Sequence, residues 1–234
     1  MTIGLFLDVD NTLTRGFIQH NYAKMIGVEN EYLEIEQQYG SNGLTSEAFG
    51  DKLIELFNRT RFDAQFAKDN FGKIKLKDSA GPLLECNGVS IRIYFVSAGP
   101  NYYVLRLAEK YNIPAEYVLC SKYYFDDQGK LEGCDAVTPE QKRDFRKKHA
   151  SGHDLTIGVG DDEVHDSSFL DGCDIGLLTP KAGQGGRATG DNHLWAPRLS
   201  LVLALVTNFD QKLKASANRL GRSAQSAGAE VRIA

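Results

Sequence analysis

Two aspartates separated by a single residue, Asp8 and Asp10, stand directly behind the apolar run Ile3 to Leu7. Such a run fits a strand buried on both faces, and side chains two residues apart leave a strand end on the same side. One carboxylate can then attack phosphorus as a nucleophile. The other can protonate the leaving oxygen and later activate water. A plainer explanation covers the same residues, because Asp10, Asn11 and Thr12 are also good turn chemistry for capping a helix.

Three further positions can act with that pair. Ser97 follows the apolar Phe95 and Val96 and precedes Ala98, Gly99 and Pro100. A hydroxyl among small residues at a strand end lets it and nearby backbone N–H groups approach an anion, although a Ser before Gly-Pro is more often only a turn. Lys142 lies one turn into a helix that opens at Thr138, with Pro139 at the first position and Gln141 at the third. An ammonium there can neutralise a phosphate and the nucleophile, but most lysines are exposed, and Lys147 and Lys148 are nearby competitors. Finally, Asp161, Asp162, Glu163 and Asp166 follow the apolar Leu155 to Val159. Four acids this close repel one another unless a cation is present, and hard carboxylate oxygens suit magnesium. An acidic helix start would need fewer of them.

The elements that must position these groups follow from the pattern. Residues 17–70 hold no convincing strand; Phe49, Leu53, Leu56 and Phe57 recur at helical spacing, and three or four helices are expected. Strands then alternate with helices: Ser90 to Val96, a helix from Tyr102 to Tyr111, Tyr117 to Ser121, a hairpin from Tyr123 to Leu131 turning at Asp126 to Gly129, the helix from Thr138, then Leu155 to Val159 and Cys173 to Leu178. That alternation predicts an α/β fold, a doubly wound, mostly parallel sheet with helices on both faces. Ligands of such sheets bind beyond the carboxyl ends of the strands, where Asp8, Ser97 and Asp161 all fall.

Composition narrows the partners. The 234 residues carry 27 basic and 31 acidic side chains, a net charge of −4, against the basic excess expected of a nucleic-acid binder. The N-terminus does not read as a signal peptide. No apolar stretch has membrane-spanning length, and Leu199 to Val206 reads as a core segment. Cys86, Cys120, Cys134 and Cys173 form no Cys-x-x-Cys pair, which points to reduced, buried thiols and a cytoplasmic protein. Gly183 to Ala188 matches a G-x-G-x-x-A pattern but reads as a surface loop, because Gly190 interrupts any following helix. Trp195, Tyr102 and Tyr103 read as core or rim aromatics, and His20 as a lone histidine of the helical insertion.

Taken together, Asp8 to Thr12, Ser97, Lys142 and Asp161 to Asp166, at successive strand ends and in this order, resemble the haloacid dehalogenase superfamily. Its phosphatases carry a DxDxT loop, a Ser or Thr, a Lys, and a GDxxxD or GDxxxxD acid pair. By layout the chain is similar to the phosphoserine-phosphatase-like members, over roughly residues 3–180. The resemblance implies a Rossmann-like core at residues 1–14 and 76–209 and a helical cap at 15–75; residues 210–234, rich in Ala, Ser, Gly, Arg and Lys without sustained apolar periodicity, read as a loosely packed or mobile tail. It implies Asp8 as nucleophile, Asp10 as general acid and base, and Asn11, Thr12, Ser97, Ala98 and Lys142 as phosphate contacts. It also implies Mg2+ held by Asp8, the Asp10 carbonyl, Asp161 and either Asp162 or Asp166, since both spacings occur in the family. The partner would be a small phosphorylated metabolite, with no nucleic acid or membrane, and the protein a monomer or homodimer. Lysine and metal would neutralise the phosphoryl oxygens that repel an attacking carboxylate.

One departure concerns the substrate. Phosphoserine phosphatases usually place a Glu where Phe17 stands, so phosphoserine is expected to be a poor substrate, and Arg15, Phe17 and His20 suit an apolar or anionic leaving group; Glu29 or Glu31 would have to fold back to change that. Other functions are weighed on the same residues. A receiver-like phosphoacceptor lacks Asp10 and a cap, a dehalogenase needs neither magnesium nor Asp10, and a phosphomutase or a silent binding protein would keep the same scaffold.

Overall fold

The computed structural model describes residues 2–40, 43–179 and 193–226; Gly183 to Ala188 and residues 227–234 lie outside them. Seven strands form one sheet: β1 (Ile3–Leu7), β2 (Ile91–Pro100), β3 (Val118–Phe125), β4 (Leu131–Asp135), β5 (Leu155–Gly160), β6 (Ile175–Leu178) and β7 (His193–Trp195), in the order β4-β3-β2-β1-β5-β6-β7. All neighbours are parallel except β3 and β4. β1 is central, with Leu5 paired to Ile93 on one side and Ile157 on the other. Ile3, Leu5, Phe6 and Leu7 are all fully buried, and each such side chain contributes about 1.5–3 kcal/mol relative to exposure. Gly4 belongs in this strand because a Cβ there would run into the His153 ring.

The chain enters four helices after β1: α1 (Ile18–Ile26), α2 (Glu29–Gly40), α3 (Ser46–Asn58) and α4 (Ala64–Asn70). Thr14 bridges Leu76, and Arg15 N and Lys77 N donate to Lys75 O and Leu13 O, so the outgoing and returning segments are zipped into a neck. Around the sheet lie α5 (Ala80–Leu84), α6 (Asn101–Lys110), α7 (Pro139–Ala150), α8 (Glu163–Leu170) and α9 (Leu199–Ser226). The fold is therefore the capped, mostly parallel α/β arrangement that the alternating pattern predicts.

Cap and core share an aromatic seam. Tyr22 of α1 packs against Phe62 and against Tyr102 of α6, while Tyr103 is buried and Trp195 flanks the smaller core. Tyr39 of α2 stacks on His165 of α8. The hairpin is bound to the cap: Asn58 Nδ2 donates to Leu131 O at 2.7 Å and its Oδ1 accepts from Leu131 N at 3.1 Å.

Two expectations need correction. The separate strand at 117–121 and the hairpin strand from Tyr123 are one strand, β3, because its first half pairs with β2 and its second with β4. α9 runs on from Asp210 to Ser226; Ala, Lys and Arg in this stretch are strong helix formers without any periodicity. The four free cysteines are half-buried rather than buried. Among the described residues no helix is long and apolar enough to cross a membrane.

Candidate active site

The loop behind β1 is shaped by its own side chains. Leu13 N and Thr14 N return to Val9 O, and Thr14 Oγ1 accepts from Asn11 N at 2.8 Å. This tight reversal puts Asn11 at φ 57°, a left-handed conformation that asparagine tolerates better than most residues. The turn swings Asn11 toward β5, where its Nδ2 donates to Asp161 Oδ2 at 2.7 Å; Thr12 Oγ1 donates to Asp161 Oδ1 at 3.0 Å. Both side chains thus hold Asp161.

The two loop carboxylates occupy different surroundings. Asp8 is buried, and its Oδ1 lies 3.4 Å from Lys142 Nζ. Burial pushes its carboxyl well above the usual range; Lys142 opposes this, and Asp166 and Asp161 add to it. Asp10 Oδ1 instead accepts the backbone N–H of Ile18, at the start of α1, at 2.7 Å. Burial raises the Asp10 carboxyl to about 7, against that hydrogen bond. A carboxyl able to hold its proton near neutrality is suited to give one to a leaving oxygen and take one from water.

Ser97 is fully buried, within the last residues of β2, where the pairing with β3 shifts register between Val96 and Pro100. Its Oγ accepts Gly99 N at 3.0 Å and Asp10 N at 3.4 Å. With both lone pairs so engaged, its hydrogen is the group left to donate. Ala98 is exposed beside it, and its carbonyl accepts Ser121 Oγ at 2.7 Å.

Lys142 reaches the site because the Thr138–Gln141 capping box fixes the start of α7. Its Nζ is 2.7 Å from Asp166 Oδ1. Burial works to lower its pKa, but the Asp166 and Asp8 carboxylates prevail and raise it above the ordinary lysine value. Asp166 Oδ2 accepts from Asp161 N at 3.0 Å and Asp162 N at 3.1 Å. Gly160 makes that possible, since a Cβ there would collide with the Asp166 carboxylate.

Asp8, Asp161 and Asp166 each place a carboxylate oxygen within 4.8 Å of the others. Asp162 stands outside this triad, its Oδ1 accepting Val164 N and His165 N as the cap of α8. The donor set fits a hard divalent cation: three carboxylate oxygens converge, and the Lys142 ammonium among them offsets only part of their charge. We expect Lys142→Met to lower the unfolding free energy by about 3–5 kcal/mol in urea titrations without divalent ions, the scale for stripping a buried pair of its partner. A loss below about 1 kcal/mol would mean that the carboxylates neutralise themselves by protonation.

Residues that sequence reading passed over also approach this centre. Glu36 of α2 acts electrostatically on Asp10. Lys77, returning from the cap, lies within electrostatic reach of Asp161 and Asp8. Nothing local marks either, as both are ordinary helix or linker residues until the cap folds over the loop. His20 stacks on Tyr32 and pairs with Glu29 at 3.0 Å; Glu29 also meets Lys24 and so is committed to the cap's own surface.

No family model and no curated protein sequence matches the chain. Solved structures do. A had family hydrolase from Salmonella enterica serovar Typhi superposes with a TM-score of 0.65 at 16% identity, over 76% of this chain and 62% of that one. A phospho-aspartyl intermediate analogue of phosphoserine phosphatase gives 0.64 at 22% identity, over 77% and 88%. A phosphoserine phosphohydrolase-like protein from Francisella tularensis gives 0.65 at 16% identity, over 88% and 100%. With its central Asp8, its capped parallel sheet and these neighbours, the chain has the fold of the haloacid dehalogenase hydrolases in its phosphoserine-phosphatase-like form.

Proposed function

We propose that the protein is a magnesium-dependent phosphatase that hydrolyses a small organic phosphate monoester through a phosphoryl group carried on Asp8. The observation that carries this reading is the division between the two loop carboxylates. Asp8 stands in a carboxylate triad beside Lys142, whereas Asp10 is held apart by the first N–H of α1, with burial raising its carboxyl to about 7. A nucleophile set beside a cation and a proton carrier held apart from it need these different partners.

In the first step an Asp8 oxygen attacks phosphorus, the bond to the ester oxygen breaks, and Asp10 gives that oxygen its proton. In the second, Asp10 takes a proton from water as the water oxygen attacks the same phosphorus; the acyl-phosphate P–O bond breaks, phosphate leaves and Asp8 is restored. Lys142 offsets charge on the phosphoryl oxygens and on Asp8 throughout, and the Ser97 hydroxyl donates to one of those oxygens. Asp8, Asp161 and Asp166 would hold magnesium, with Asp166 also fixing Lys142. The ion would lend positive charge to the phosphoryl oxygens and orient them for in-line attack. Asn11 and Thr12 keep Asp161 aimed. The cap shields the site from bulk solvent while leaving room for the one water that attacks the phosphoryl group.

The test is a turnover screen with magnesium over sugar, nucleotide, amino-acid and lipid phosphates. At least one ester should be hydrolysed with a kcat/KM of about 10^4 M−1 s−1 or more, the lower end for working enzymes. Silence across all four classes would overturn the reading.

A further inference from the structure

A cavity of about 980 Å3 opens at the neck between cap and core. Asn11 forms part of its wall, so it begins one side chain away from Asp161. Arg15, Phe17 and His20 all line it, which brings together the three residues that set the chain apart from a phosphoserine site. Its charged lining consists of Arg15, Lys24, Lys77 and Arg198 against Glu36 and Asp78. Basic side chains prevail here in a protein whose net charge is −4. These six come from both linkers, from α1 and α2 and from the segment leading into α9, so only the folded chain assembles them.

Lys77 links the cavity to the chemistry. It is half-buried at the return from the cap, its backbone N–H tied to Leu13 O at 2.7 Å. Its ammonium lies within electrostatic reach of Asp8 and Asp161 while its side chain lines the cavity. Arg198 lines the same cavity, exposed at the head of α9. Arg15 is steadied by Asp78 at 2.6 Å and Lys24 by Glu29 at 3.0 Å. A leaving group with a carboxylate or second phosphate would find charge-assisted donors here, whereas an ammonium would meet four like charges and two carboxylates.

We infer that the ester carries a second anionic group on its leaving side and that this cavity, through Lys77 and Arg198, binds it. The inference rests on the proposed phosphatase reading for the identity of the first anion, and its test is a binding measurement that does not depend on turnover. Asp8→Asn protein with magnesium is titrated calorimetrically with 2-phosphoglycolate, ethyl phosphate and phosphoethanolamine, which differ in the charge of the leaving side. Glucose 1,6-bisphosphate and glucose 1-phosphate repeat the comparison at greater length. In at least one series the extra anion should tighten binding by about tenfold or more, and phosphoethanolamine should be the weakest of its three, as for a charged hydrogen bond made or missed. Adding Lys77→Gln, or the exposed Arg198→Gln should Lys77→Gln fail to fold, should cut that preference several-fold. Equal affinities in both series, tightest binding of phosphoethanolamine, or a preference untouched by both substitutions would overturn the inference. A wild-type protein that hydrolyses no ester yet shows the binding preference would sink the phosphatase reading and leave this one standing.

Discussion

Asp8→Asn is expected to lower turnover of any good ester by about 10^3-fold or more, the scale on which loss of a catalytic nucleophile acts, while the protein stays folded. The amide has the same shape but no charge and cannot attack phosphorus. Stability should survive for an electrostatic reason. Asp8 shares its surroundings with Asp161 and Asp166 as well as Lys142, and burial already pushes its carboxyl far above the usual range. A neutral amide removes one of three mutually repelling groups and leaves Lys142 its 2.7 Å partner, Asp166. The melting temperature without divalent ions should therefore hold or rise. Activity above roughly 1% of wild type would count decisively against Asp8 as nucleophile.

Removal of divalent cations should silence the enzyme just as fully. Without a cation the Asp8–Asp161–Asp166 triad has, among the described residues, Lys142 and Lys77 to offset it, so an incoming phosphate dianion meets a site that repels it. Magnesium should restore turnover and calcium should not. Calcium takes more oxygen ligands at longer distances, which can tie both Asp8 oxygens and spoil its attack. A second readout is independent of activity. Magnesium at about a hundred times its dissociation constant should stabilise the fold by about 2.7 kcal/mol, and Asp161→Asn should abolish most of that gain. Full turnover in excess chelator, or a melting temperature indifferent to magnesium, would remove the metal from this account.

Much of this protein was legible in its sequence because the signals are local. The run Ile3 to Leu7 reads as a buried strand whatever surrounds it. Thr138, Pro139 and Gln141 specify a helix start by hydrogen bonds within one turn, and Lys142 inherits its place from them. Charge crowding at Asp161 to Asp166 is likewise visible without a fold. Tertiary structure decided what depends on direction and on contacts between distant segments. Asp162 and Asp166 are the same residue type four positions apart; the first turns its carboxylate onto the N–H groups of α8, and the second turns inward to Lys142 over the bare backbone of Gly160. Asn11 and Thr12 sit in the nucleophile loop, yet a left-handed turn sends them to Asp161. Glu36, Lys77 and Arg198 carry no local mark, since a charged side chain on a helix or linker looks the same in sequence whether it faces water or a cavity. Only the closing of the neck between Thr14 and Leu76 brings Lys77 beside Asn11 and the carboxylates it serves.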